Sequence, residues 1–453
     1  MLFAKKPLLA PVLSLALPIA IENLLRNLIN TLNVFLLSGY SDAAASGVGV
    51  ANQVVNIVLM FSTAISVGAS VIINYDLGAD DREKASVSVS NSVSLSLLFG
   101  AVVSILCFTL APSLMVAVNL TGETYAHAAN YLQAVSLSAF FLSVSQVVSA
   151  VFRAYKDAKT PMLVLTCANL LNLLLTWSAI RFESALPFDA VTGIAWAKVL
   201  CEGLCLLVLF GLMLARGYGF SAKNMLRLDK SRIARMLKVG SSSVAESLSY
   251  TLGTFLTTGF IAASPMGDAG LSAKVYVGTV NPYEQTIGYA LGQAGQITAG
   301  KMIGAGEYEK AQTQINRLWK YLFIANLSSS LLLFALHRPL MGLFTDDPQV
   351  IGVTTPLFLC EIVINLSRTM NHCFNFGNRA GGYVLWPGIM AVVSLWSFYV
   401  GCGYLFCNVM GLGILGIWMG MTIDETLRGS FCATVWLKRK WQKKYLKQSQ
   451  QNQ

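Results

Sequence analysis

Glu22 and Arg26 stand four residues apart inside a stretch otherwise made almost wholly of apolar and amide side chains. Lys198 and Glu202 repeat that spacing, as do Asp424 and Arg428, while Glu361 and Arg368 stand seven apart. Spacings of four and seven place both members on one face of a helix, where a carboxylate can meet a cation. An ionisable group at mid-bilayer costs roughly 2.5–3.5 kcal/mol on insertion scales, so each needs a partner or a purpose. Two chemistries fit. The first is an ion pair that locks helices together with no ion traffic, which suits Lys198–Glu202 and Asp424–Arg428. The second is cation exchange, because a carboxylate in apolar surroundings takes up a proton more readily than one in water. A carboxylate joined by amide oxygens equally suits Na⁺, a hard cation. The cation-coupling candidates are Glu22, Glu202, Glu246, Glu361 and Asp424, with Asn33, Asn169 and Asn172 as amide ligands; Arg26, Lys198, Arg368 and Arg428 supply countercharge.

Other chemistry lacks its residues. The three histidines, His127, His337 and His372, are scattered, and the nine cysteines form no CxxC pair that would suggest zinc. No phosphate loop and no nucleophile elbow occurs, so neither an ATP-driven pump nor a serine enzyme is expected. No enzymatic activity and no cofactor beyond the coupling ion, H⁺ or Na⁺, is expected. A second polar group suits solute contact: Tyr250, Tyr276, Tyr283, Glu284, Gln285, Tyr289, Gln293 and Gln296. Aromatic faces and carboxylates attract organic cations, although tyrosines also serve as interfacial anchors.

The elements that carry these residues are long and apolar. Hydrophobic residues make up 55% of the 453 positions and charged residues 12%, against about a quarter charged in an ordinary soluble domain. Apolar runs long enough to cross about 30 Å of hydrocarbon recur along the chain. Twelve helical spans are expected, near 10–39, 47–77, 89–117, 127–152, 160–181, 190–215, 233–263, 271–300, 314–336, 350–377, 384–406 and 412–436. The alternation of an outer-membrane barrel is absent from them, and no cleavable signal is apparent. The net charge of +10 is not a nucleic-acid footprint. Assigning alternate loops to two sides gathers nearly all Lys and Arg on the side of the N-terminus, leaving Arg181 and Arg338 opposite. By the positive-inside rule both termini are cytoplasmic. The basic tail from Lys438 then meets anionic lipid, and a monomer in a bacterial inner membrane is expected.

The chain also repeats itself. Leu77-Gly-Ala-Asp-Asp-Arg-Glu-Lys-Ala85 follows the second span and Ile303-Gly-Ala-Gly-Glu-Tyr-Glu-Lys-Ala311 the eighth. Gly78 to Gly304, Arg153 to Arg379 and Pro161 to Pro387 are each separated by 226 residues. A constant offset in separate motif pairs marks a duplication. Six spans per copy is an even number, so both copies enter the membrane in the same direction as parallel repeats. The expected organisation is a six-helix bundle over 1–215, a cytoplasmic linker over 216–232, a second bundle over 233–437 and a tail over 438–453. Gly in the motif loops is expected to allow the tight turns.

At these residues the sequence resembles the multidrug and toxic compound extrusion (MATE) family, of prokaryotic type. The likeness is carried by both Gly-Ala loops, by Phe152-Arg-Ala-Tyr-Lys-Asp-Ala-Lys-Thr-Pro161, by Phe344-Thr-Asp-Asp-Pro-Gln-Val350, by Asn169-Leu-Leu-Asn172 and by Gly193-Ile-Ala-Trp-Ala197. It implies an all-α membrane protein with two bundles in a V, exporting organic, often cationic, compounds by H⁺ or Na⁺ antiport with alternating access. The chain departs from the family where members often carry acids: it has Asn33 in span one, Thr176 in span five, Arg368 in span ten, and Tyr250 with Glu246 one turn away in span seven. A flippase for a lipid-linked or bulky polar substrate, or an exporter of one natural product, is the alternative.

Overall fold

The computed structural model describes residues 9–118, 121–183, 187–225, 227–265 and 267–442. Lys5, Lys6 and the tail beyond residue 442 lie outside the described residues. Twelve long helices follow one another, and no strand occurs among the described residues. They are α1 (Ala10–Ser38), α2 (Asp42–Gly78), α3 (Arg82–Ala117), α4 (Gly122–Ala154), α5 (Lys159–Arg181) and α6 (Ala190–Ala215), then α7 (Lys230–Ala262), α8 (Gly267–Gly304), α9 (Tyr308–Met341), α10 (Pro348–Ala380), α11 (Leu385–Val409) and α12 (Ile414–Leu437). Each expected span coincides with one of them. Several outrun the apolar stretch: α3 begins at Arg82 rather than near residue 89, because Asp81 caps it and accepts the Lys84 amide at 2.9 Å. Charged residues at that end prolong the helix past the hydrocarbon. The Lys84 side chain and amide hold the Asp81 carboxyl below its ordinary range.

Nine of the twelve helices are long and apolar enough to cross a membrane. The exceptions, α7, α8 and α12, hold Glu246, Glu284 and the Asp424–Glu425–Arg428 cluster.

Two compact units result. The first is Ile21–Ser241; the second joins Met1–Ala20 to Ser242–Gln453. In the first, α4 is the axis, packed on α2, α3 and α6, with Leu132, Val135, Val144, Val148 and Phe152 buried along it. In the second, α10 packs on α8, α9 and α12. The boundaries fall inside α1, two residues past Pro18, and inside α7. The start of α7 belongs to the first unit and is tied there. Arg232 pairs with buried Asp76 at 2.6 Å and donates to Ser88 at 2.7 Å. Nearby, a Cβ on Gly68 or Gly240 would strike the backbone of Met236 or Ala64, so α2 and α7 touch main chain to main chain.

The duplication is written into the backbone. After α2 and α8 the chain closes through the same three hydrogen bonds: Ala79, Asp80 and Asp81 donate to Tyr75, Leu77 and Asp76, as Ala305, Gly306 and Glu307 donate to Lys301, Ile303 and Met302. Asp80 and Gly306, 226 apart, both take positive φ (55° and 76°), as do Lys156 and Gly382 (67° and 68°). The expected role of the motif glycine therefore moves. Gly78 only ends α2, and the left-handed position two residues later is an Asp in the first copy. Past α12 the chain turns at Arg439 and buries Trp441, which stacks on Trp436 at 4.9 Å and donates to Gln312 at 3.2 Å.

Candidate functional site

Each unit gathers its own intramembrane charges. In the first, Glu22 of α1 accepts from Arg26 one turn later at 2.9 Å. It also accepts from Arg153 in the last turn of α4, at 2.9 and 2.8 Å to its two oxygens. In the sequence Arg153 falls one residue past the expected fourth span, 127–152. The constant offset carries the missed signal, since both motif copies hold an arginine there. Asn33 donates to Asn172 at 3.3 Å. Asn33 Oδ1, Asn172 Nδ2 and Thr176 Oγ1 are buried without hydrogen-bond partners. Asn169 instead donates to the Leu165 carbonyl of its own helix at 2.8 Å. Lys198 and Glu202 share a face but form no ion pair: Lys198 reaches Asn52 at 3.4 Å, and Glu202 Oε2 is buried without a donor.

The second unit holds one connected run. Glu361 on α10 accepts from Asn281 at 2.7 Å and from the Trp418 indole at 2.9 Å, and meets Arg368 at 3.4 Å. Arg368 also meets Glu425 at 3.3 Å, and Glu425 accepts from Arg428 and Asn371, both at 2.7 Å. Asn371 opens a π-helical turn over Asn371–Asn375, a local widening common at functional positions. Arg428 continues to Asp424 at 3.7 Å and to Glu246 at 3.0 Å, and Glu246 meets Arg379 at 3.0 Å. Arg379 is the repeat counterpart of Arg153, so each copy ties a first-helix glutamate to an arginine ending its fourth helix. Glu284 is different. It accepts from Ser330 at 2.5 Å, Asn365 at 2.7 Å and Ser329 at 3.2 Å, with no cation bonded to it.

Of the expected solute contacts, Tyr250, Tyr283 and Tyr289 are exposed. Tyr250 stacks on Tyr399, and Tyr289 stands edge-on to His372. Tyr276 is packed into the core against Phe344. Gln285 and Gln293 are half-buried, and Gln296 is buried with Oε1 unpartnered.

The sequence pattern of the MatE family matches residues 18–178 and again 243–405, once in each copy. The chain belongs to the MatE family. These are transporters, not enzymes, and the protein is a multi-pass membrane protein. Among curated relatives, it is 28% identical over 429 residues to the uncharacterized transporter YisQ of Bacillus subtilis, covering 94% of each chain. It is 27% identical over 441 residues to the probable multidrug resistance protein NorM of Thermotoga maritima, covering 95% of this chain and 93% of that one. A multidrug resistance MATE family transporter of the MOP superfamily, solved in an outward-facing conformation, shares the fold with a TM-score of 0.86 at 20% identity, over 95% of each chain. A MOP superfamily transporter from Pyrococcus furiosus gives 0.86 at 21% identity, again over 95% of each chain. Among the MatE traits named above, the twelve helices and the repeat are present. Where the resemblance leads one to expect acids in spans one, five and ten, the chain carries Asn33, Thr176 and Arg368.

Proposed function

We propose that this MatE protein is a secondary active exporter of small organic compounds, driven by inward flow of H⁺ or Na⁺ through alternating access. The observation that carries the reading is the charge count of the connected run in the second unit. Five carboxylates (Glu246, Glu284, Glu361, Asp424 and Glu425) are bonded into one run with three guanidinium groups, Arg368, Arg379 and Arg428. Surplus negative charge in such surroundings costs several kcal/mol unless a cation neutralises it.

Glu284 is the carboxylate best placed to accept that cation, because only neutral donors hold it. A proton or Na⁺ there weakens its hold on Asn365, whose Oδ1 accepts from Arg368 at 3.4 Å. Loading thus reaches Glu361 and Glu425, and through them the packing of α8, α10 and α12. The ion does work only so far as it binds one conformer better than the other. Glu202, also free of an arginine, is the matching candidate in the first unit. The names of the relatives support organic solutes as cargo. The same reading places the bundles at 1–215 and 233–437 with a linker at 216–232, both termini in the cytoplasm, and a monomer in the inner membrane.

The test uses full-length protein in proteoliposomes, loaded by an imposed pH or Na⁺ gradient and read by movement of rhodamine 6G. Wild type is expected to transport under one gradient, and Glu284→Gln to lose at least about tenfold in that rate, a loss of about 1.4 kcal/mol. Undiminished transport by Glu284→Gln under both gradients would sink the assignment.

A further inference from the structure

A basic segment of the first unit runs from Arg216 to Ser241, with seven Lys and Arg and a single acid, Asp229. Two of the seven are spent on ion pairs. Arg216 meets Asp157, and Arg232 meets Asp76 and, at 3.3 Å, Asp229. Lys223, Arg227, Lys230, Arg235 and Lys238 are exposed and join no ion pair among the described residues.

The backbone that carries them is fastened to one stretch of α3. Ser86, Ser90 and Ser94 stand four apart, on one helix face. Ser90 accepts from the Ser221 amide at 3.0 Å, Ser86 accepts from the Asn224 side chain at 3.4 Å, and Ser94 donates to the Met225 carbonyl at 2.9 Å. Asn91, its amide turned to satisfy both ends, donates to the Arg227 carbonyl at 3.0 Å and accepts from the Asp229 amide at 3.1 Å. Ser88 accepts from Arg232. The span from Ser86 to Ser94, about 12 Å of rise, therefore holds the whole of 221–232, and Lys223, Arg227 and Lys230 leave from one small patch. Arg235 and Lys238 follow three apart on the next turns of α7, on one face. Two exposed leucines stand among these cations, Leu228 at 51% and Leu237 at 44%. Water suits the cations and hydrocarbon the leucines; the headgroup layer suits both. With 33 residues, α7 has about 50 Å of rise against about 30 Å of hydrocarbon. All of its Lys and Arg lie in its first nine residues, so the surplus length falls at this end.

We propose that Lys223, Arg227, Lys230, Arg235 and Lys238, with Leu228 and Leu237, form a docking surface for anionic phospholipid headgroups. Lipid phosphates supply the acceptors that the segment lacks, and the leucines reach the acyl boundary. Because the α3 serines already fix the backbone, docking has only side chains to order. Arg232 has its own carboxylates and takes no part. The surface goes beyond the exporter reading and does not depend on it.

The test places the fluorescent amino acid acridonylalanine at position 228 of the full-length protein, in phosphatidylcholine nanodiscs. A small, equal fraction of doxyl-labelled lipid is added, either phosphatidylglycerol or phosphatidylcholine. Quenching by the phosphatidylglycerol label is expected to be at least about twofold stronger at low salt, and to approach equality at about 1 M NaCl, where charges are screened within about 3 Å. The variant with Lys223→Gln, Arg227→Gln, Lys230→Gln, Arg235→Gln and Lys238→Gln keeps Arg232 and every α3 anchor, and is expected to lose the difference. Equal quenching by the two labels at low salt, or none by either, overturns the proposal, as does a preference that survives in the variant. If the variant fails to fold, the salt series on the unsubstituted cations decides, and a preference unchanged by salt overturns it. Both leaflets hold the same lipids and no transport is measured, so the outcome is separate from that of the exporter reading.

Discussion

The two glutamate–arginine ties, one per repeat copy, are expected to differ in strength, and the structure says by how much. Glu22 is 3% exposed and takes two bonds from Arg153, at 2.9 and 2.8 Å. After Arg153→Met its remaining partner is Arg26, one bond at 2.9 Å from a side chain 45% exposed and therefore screened. Removing one partner of a buried pair costs about 3–5 kcal/mol; the surviving Arg26 bond sets the expectation at about 3 kcal/mol. Glu246 is 23% exposed and takes a single bond from Arg379 at 3.0 Å, while Arg428, only 6% exposed, still holds its other oxygen at 3.0 Å. Arg379→Met is therefore expected to cost about 1.5 kcal/mol, the low end for a bond to a charged group, because Glu246 is partly exposed and keeps Arg428. Denaturant midpoints of both variants in nanodiscs, each with its cycle to Glu22→Gln or Glu246→Gln, read the difference. A larger loss for Arg379→Met, or strictly additive effects of Glu22→Gln and Arg153→Met, would refute the reasoning.

Asp80→Gly and Lys156→Gly are expected to stabilise the protein by roughly 0.5–1 kcal/mol each, because both residues sit at positive φ where the second copy has Gly306 and Gly382; a lowered melting temperature would contradict this. Asp76→Asn breaks the buried tie to Arg232 and is expected to speed tryptic cleavage between Arg227 and Arg235 several-fold, measured by mass spectrometry of the fragments. Trp441→Ala, which empties a buried stacked position, is expected to cost about 3–5 kcal/mol, against no change if the tail is only a surface charge. Asp81 is held below its ordinary range by Lys84, so its cap contributes fully above about pH 5 and fades as pH falls through the lowered value. The stability gap between wild type and Asp81→Asn should shrink toward pH 3, and a gap independent of pH would count against the cap.

Nine of the twelve helices were legible because their apolar runs are long enough to cross a membrane, and the duplication because its turns keep one offset. What was hidden depended on distance in space. Arg153 reads as a loop charge until α1 and α4 are side by side, 131 residues apart, and Arg232 reads as linker until it meets Asp76, 156 residues back. Lys198 and Glu202 show the opposite failure: sharing a helix face is necessary for an ion pair and did not produce one, since Lys198 turned to Asn52. The repeat itself shows how scaffold and chemistry separate. Laying Glu22 on Glu246 puts Arg26 on Tyr250, and laying Glu202 on Glu425 puts Cys205 on Arg428. The copies therefore share their helix order, their left-handed turns and their glutamate–arginine ties, while the side chains one turn away differ in charge.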